Sequence, residues 1–191
     1  MTTPTTRIKE YFIGLDLGQR RDYSAIAVVA AASEILRLEF LDQCPLGLKY
    51  SNMPRLIEQL RSQLGHKTKT TLAVDATGPG LPVVDSIEAA RRPMEIQPYI
   101  ITGGAAGIHE SKGVFSIGRE TLLSTLRIAI ETKRIRFPKD LRWRMQLDEQ
   151  LLDASLNVNR AKAHDDLVFA IALAVVSATT ARAKTGIEPL R

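Results

Sequence analysis

The chain has 191 residues, 45% of them hydrophobic and 25% charged, with a formal net charge of +5. That profile suits one globular domain with a real core and excludes a low-complexity or disordered polypeptide. The single cysteine, Cys44, excludes an internal disulfide framework and fits a reducing compartment, while the modest basic balance is compatible with a polyanionic partner such as nucleic acid without requiring one.

Residues 1–9 read as a flexible tail. The opening "MTTPTTRIKE" is polar, so no signal peptide is expected. A first strand is predicted at 11–15, ending at Asp16, followed by the turn "GQRRD" with Gly18. Further strands follow at 24–31 and 34–41, so the first three form an antiparallel meander. Apolar residues at Met53, Leu56, Ile57, Leu60 and Leu64 share one face of a helix. A fourth strand, 71–74, again runs into an aspartate, Asp75. "TGPG" breaks the chain before a helix at 81–90, and "MEIQPYIIT" is a fifth strand. "GGAAGIHESKG", residues 103–113, reads as a glycine-rich loop. An amphipathic helix is predicted over 119–132 and a further helix over 140–152. A last helix opens at His164 and carries the apolar run 167–181, which is too short to span a bilayer and is bounded by charge, so it is read as a buried helix. Residues 185–191 form a C-terminal tail. The predicted fold is α/β: a mixed five-stranded sheet, with β1β2β3 antiparallel and β4 and β5 parallel to β1, flanked by helices within one domain, 10–184.

The carboxylates sit at element ends: Asp16 in "GLDLG", Asp75 in "LAVDATGPG", and Asp165 and Asp166 in "AHDDLVFAIALA". Were the first and fourth strands parallel neighbours, Asp16 and Asp75 would face each other. A helix packed across that edge would bring Asp165 or Asp166 to the same point. Like charges so gathered repel and pick up protons, and a divalent cation reverses that cost. Hard oxygen donors suit Mg²⁺ or Mn²⁺. Two such ions, roughly 3.5–4 Å apart, clamp a phosphodiester and activate a water for in-line attack. Taken singly, each aspartate has a plainer reading: Asp16 and Asp75 as turn formers, Asp165 and Asp166 as helix caps.

The segments "FIGLDLGQRRDYSAIAVV", "AVDATGPGLPVVDSI", "YIITGG", "GRETLLSTLRIAIETKRIRFP" and "HDDLVFAIALAVV" resemble, in order and over almost the whole chain, the nuclease domain of the bacteriophage terminase large subunit, an RNase H-like (RuvC-like) fold. The resemblance implies a metal-dependent endonuclease that cuts concatemeric viral DNA during genome packaging. It also implies two Mg²⁺ or Mn²⁺ ions held by Asp16, Asp75 and either Asp165 or Asp166, with Asp166 favoured. The family's further aspartate one turn later on the last helix has no counterpart here, where Val168 and Phe169 stand. Arg119 takes the place of a family lysine and suits phosphate. His164 is a candidate phosphate contact or a helix cap. Asp22 reads first as a turn former.

The implied partners are double-stranded DNA and a packaging ATPase, small terminase subunit or portal. No membrane is implied, and the implied location is the cytoplasm of a bacterial host, from a phage or prophage gene. No GxxxxGK[ST] motif of a packaging ATPase occurs in the sequence. Arg20 and Arg21, beside Asp16, are candidate DNA contacts, as is Lys112 in the glycine-rich loop, itself a candidate lid over a DNA groove or a plain connection. Lys133–Arg136 and Arg142–Arg144 read as ordinary solvated faces. The competing readings are a Holliday-junction resolvase-like nuclease, a sugar-kinase or actin-like ATPase, which needs two such domains, and a non-catalytic packaging module.

Overall fold

The computed structural model describes residues 10–18, 22–32, 34–65, 68–78, 80–90, 94–156 and 165–184. The elements in chain order are β1 (Glu10–Asp16), β2 (Ala25–Ala32), β3 (Ile35–Gln43), α1 (Met53–Gln63), β4 (Lys69–Asp75), α2 (Gly80–Ala89), β5 (Glu95–Thr102), β6 (His109–Ser111), β7 (Val114–Gly118), α3 (Arg119–Glu131), β8 (Ile135–Arg136), α4 (Arg144–Leu156) and α5 (Asp166–Lys184). They build one mixed sheet in the order β6-β7-β5-β4-β1-β2-β3-β8. β1, β2 and β3 form the antiparallel meander, and β4 and β5 continue parallel to β1. The five predicted strands are thus present in the predicted directions, and the structure adds three.

The additions have local causes. Part of the glycine-rich stretch folds into the hairpin β6–β7, whose turn residues Lys112 and Gly113 both take positive φ, 51° and 79°. β8 pairs through only two residues, Leu36↔Ile135 and Arg37↔Arg136, too few to leave an alternation in sequence. α4 starts at Arg144 rather than at residue 140 and runs on to Leu156. α5 starts at Asp166. The expected opening of that helix at His164, and the two tails 1–9 and 185–191, lie outside the described residues.

Alternation in the strands sorts the core onto two faces. Ile13, Leu15, Ile26, Val28, Leu72 and Val74 pack with Ile57, Leu60, Val83, Val84 and Ile87 of α1 and α2. Phe12, Ala25, Ala27, Val29 and Ala31 face α5, with α3 and α4 beyond it. By length and composition α5 is apolar enough to cross a membrane, but 78% of that window is buried inside the protein, as befits a central core helix. The alanines of β2 and α5 let helix and sheet approach closely. The approach is tightest at Gly14, where a Cβ would lie 1.9 Å from the Ala170 carbonyl oxygen and 2.9 Å from the Ala174 nitrogen. α5 therefore crosses β1 backbone to backbone one turn after its own start, and that start sits over the strand end at Asp16.

Candidate functional site

The register lines up one row of residues across the sheet. Asp16 is opposite Ala25 of β2, Ala25 is opposite Gln43 of β3, and Asp75 of β4 is opposite Tyr99 of β5. β1 and β4 run parallel with Leu15 beside Val74, so their terminal aspartates emerge together. The Asp16 and Asp75 carboxyl groups act on each other's proton affinity. Burial pushes the Asp16 carboxyl well above the usual carboxylate range, and the charges of Asp75, Asp166 and Asp165 push it further, against a smaller opposing pull from Arg119. Burial also raises Asp75, less than it otherwise would because the carboxyl accepts from Thr77. The other three sequence-predicted carboxylates therefore stand close enough to act on Asp16.

Each is also tied locally. Asp75 Oδ1 accepts from the Thr77 N–H at 2.8 Å, the turn-forming role expected of it, and Thr77 Oγ1 accepts from the Ile101 N–H at 3.0 Å. Asp165 accepts a short, charge-assisted hydrogen bond from Arg119, whose guanidinium lies 4.5 Å above the Phe169 ring. Asp166, 6% exposed, accepts from Gln43 Nε2 at 3.3 Å. Helix capping explains neither aspartate. Gln150 Oε1, reaching over from α4, accepts the Leu167 and Val168 N–H groups at 3.0 and 3.3 Å, so a side chain from α4 satisfies those helix-end donors.

The turn behind Asp16 is pinned from two sides. The Gly18 N–H donates to Ser24 Oγ at 3.1 Å, and the Tyr50 hydroxyl donates to the Gly18 carbonyl at 2.6 Å. A Cβ at Gly18 would meet the carbonyl oxygens of Tyr23 and Asp22 at 2.2 and 2.3 Å, so only glycine fits. Burial and the nearby Asp16 charge raise the Tyr50 phenol, which keeps it a donor. Gln43 and Tyr50 were missed in sequence. Both are uncharged, and Tyr50 lies in a short 3-10 turn, 50–52, that no periodicity marks.

Arg119, first residue of α3, reaches the cluster through Asp165. Lys112 does not: its hairpin turn lies beyond β4, β5 and β7, about 14 Å or more from β1 at roughly 4.8 Å per strand. The glycine-rich loop is anchored rather than free at its start, with Gly118 N–H donating to the Ala106 carbonyl at 2.8 Å and Glu120 N–H to the Gly104 carbonyl at 3.0 Å. Asp22 is exposed in its turn. Arg20, Arg21 and His164 lie outside the described residues.

The donor set, carboxylate oxygens alone, is of the kind that suits Mg²⁺ or Mn²⁺. Its mutual repulsion is of the kind such an ion relieves. In their present rotamers, no three His, Cys, Asp or Glu side chains among the described residues are disposed around one ion position.

No protein-family model matches the sequence, and no curated protein matches it. Solved structures do match. The large terminase nuclease of thermophilic phage G20c with bound magnesium is 21% identical, with a TM-score of 0.62 over 91% of this chain and 82% of that one. The human cytomegalovirus terminase nuclease domain, Mn-soaked and inhibitor-bound, is 13% identical, with a TM-score of 0.59 over 96% and 89%. The large terminase of a second thermophilic bacteriophage is 9% identical, with a TM-score of 0.63 over 93% of this chain but only 41% of that longer one. The chain has the RNase H-like fold of the terminase nuclease domains.

Proposed function

We propose that this protein is a divalent-metal-dependent endonuclease of the terminase type, hydrolysing phosphodiester bonds of double-stranded viral DNA for genome packaging. The observation that carries the reading is the convergence of Asp16, Asp75, Asp165 and Asp166, far apart in sequence, on one edge of this fold, with Asp16 raised by the other three. Relatives with the same fold include G20c nuclease structures with bound zinc and with bound magnesium, and the Mn-soaked cytomegalovirus domain, which supports Mg²⁺ or Mn²⁺, two ions in our proposal, as the cofactor here.

In this reading Asp16, Asp75 and Asp166 hold the metal. Asp165 instead holds Arg119, whose planar guanidinium, stacked on Phe169, is preorganised to pair with a phosphate. Gln43 donates to Asp166 and so helps orient its carboxylate. Bound there, divalent ions neutralise the four-carboxylate cluster and supply the Lewis acidity for in-line hydrolysis. The protein acts in the host cytoplasm beside a packaging ATPase, small terminase subunit or portal.

The test is nicking of supercoiled plasmid in Mn²⁺, with loss expected on chelation and in Asp16→Asn. Cutting that survives Asp16→Asn removes the assignment. Comparing four-way junctions with linear duplex separates this enzyme from a resolvase. The absence of a ready-made three-carboxylate cage among the described residues favours a second reading, a packaging module without turnover. A folded protein that binds Mn²⁺ yet leaves plasmid and junction intact would establish it.

A further inference from the structure

The segment "KRIRFPKDLRWR", residues 133–144, leads from α3 through β8 into α4. In the structure it sorts its side chains by chemistry. Ile135 is buried, and Phe137, Leu141 and Trp143 pack against the core that holds α5. The outward positions Lys133, Arg136, Lys139, Arg142 and Arg144 are exposed and cationic. Only Asp140 opposes them within the segment. Arg144 is neutralised by Asp148 at 2.9 Å, and Arg142 reaches Asp42 only at 4.0 Å with its side chain 79% exposed. Among the described residues, Lys133, Arg136 and Lys139 make no ion pair.

The course of the segment matters as much as its charge. It leaves the sheet beside Leu36 and Arg37 at one end of β3. It returns at the other end, where Trp143 Nε1 donates to Asp42 Oδ1 at 2.8 Å. Five residues of strand separate those points, about 17 Å. The second point adjoins the carboxylate edge: the Gln43 N–H also donates to Asp42 Oδ1, at 3.0 Å, and the Gln43 side chain holds Asp166. Arg142, largely exposed, lies with its guanidinium 5.3 Å from the Trp143 ring centroid, at that same edge. Asp16 lies two strand spacings away, about 10 Å.

We propose that this strip is a sequence-independent docking track for the DNA backbone, formed by Arg136, Lys139 and Arg142. It lines up the duplex arm that leads away from the carboxylate edge on the β3 side. A duplex presents one phosphate charge per about 1.7 Å of its axis, so a strip of about 17 Å faces enough phosphates to engage all three cations. The apolar anchors beneath fix their positions, which lowers the ordering cost of each contact. The track rests on the nuclease reading for its substrate but makes a separate claim about where that substrate lies.

The experiment measures binding of a 40-base-pair fluorescent duplex to the full chain in EDTA, where nothing is cut, from 50 to 300 mM salt. The triple variant Arg136→Gln, Lys139→Gln, Arg142→Gln is compared with a control removing Arg55 and Arg127, exposed cations on α1 and α3. The track variant should lose about tenfold or more in affinity at low salt, and the slope of log affinity against log salt should become shallower by about 2–3. The control should keep the wild-type slope within about 0.5. Equal slopes for the track variant and the wild type overturn the track and leave the nuclease reading standing. A wild type that binds no duplex overturns both. Unchanged melting of the track variant confirms that the loss is not one of folding, as expected for side chains that point into solvent.

Discussion

The two ends of the central strands treat negative charge in opposite ways. At their starts, Glu10 of β1 and Glu95 of β5 flank Lys69 of β4, whose ammonium lies 2.8 and 3.4 Å from them. The hydrogen bond to Glu10 raises the lysine, and the acids' charges add to the effect. At the other ends of β1 and β4, Asp16 and Asp75 stand with Asp165 and Asp166, and among the described residues Arg119 pairs with Asp165 and draws on Asp16. The first arrangement is what a fold needs to finish its edge: few charges, partly exposed, with a cation between the two acids. The second is dense and half-buried, and burial together with the neighbouring carboxylates raises Asp16; the proposed cation binding would give that crowding a purpose.

The comparison can be broken most sharply by charge removal at each end. Asp16→Asn should lower Mn²⁺-dependent plasmid nicking by about a thousandfold or more, while Glu10→Gln at the opposite end leaves the rate within about twofold. Equal losses would mean that the carboxylate edge is nothing special.

Thermal unfolding should diverge as well. The folded state keeps the Asp16 proton to higher pH than the unfolded chain, whose aspartate has the usual value of 3.8. Wild-type stability therefore falls as pH rises from that value through the raised one. Asp16→Asn removes this loss. Its Tm should exceed that of wild type by a few degrees at pH 7 without metal, and the gap should close below about pH 4. Added Mn²⁺ should raise the wild-type Tm and leave that of the variant in place. A variant less stable than wild type at pH 7 would show that the cluster is not under strain.

Gln43→Ala should weaken Mn²⁺ binding by about tenfold by freeing Asp166 to turn, as loss of a group that orients a ligand commonly does. Calorimetry reads this directly, and unchanged affinity would reduce Gln43 to a strand-end residue. The smallest effect belongs to the balanced end: Lys69→Met should cost less than about 1 kcal/mol in urea unfolding, as exposed pairs do.

The parts legible in sequence are those where chemistry and element coincide. Asp16 and Asp75 each close an apolar strand, and a charge placed there stands out against its neighbours. The meander and the α5 core helix follow from β-branched and alanine-rich runs of unmistakable length. What stayed hidden depends on contact between distant segments. Whether Asp165 or Asp166 faces the cluster turns on where α5 begins and on Gln150 of α4 taking over its cap. Gln43 matters only because register sets it two strands from Asp16. The cations of 133–144 look like a solvated face until the chain is seen to run along β3 toward the carboxylates. β6 and β8 are three and two residues long, pieces whose pairing is set by their neighbours.

Gly14 carries a mechanical consequence. With no side chain between them, β1 and α5 touch through their main chains, so the helix has no lubricating layer on which to slide or roll. The spacing of the carboxylates that the two elements carry is then a property of the scaffold, as unadjustable as the distance between two bolts in one plate. If that edge holds divalent ions as proposed, adaptation toward a larger or smaller ion would proceed by exchanging the side chains there rather than by shifting the elements beneath them.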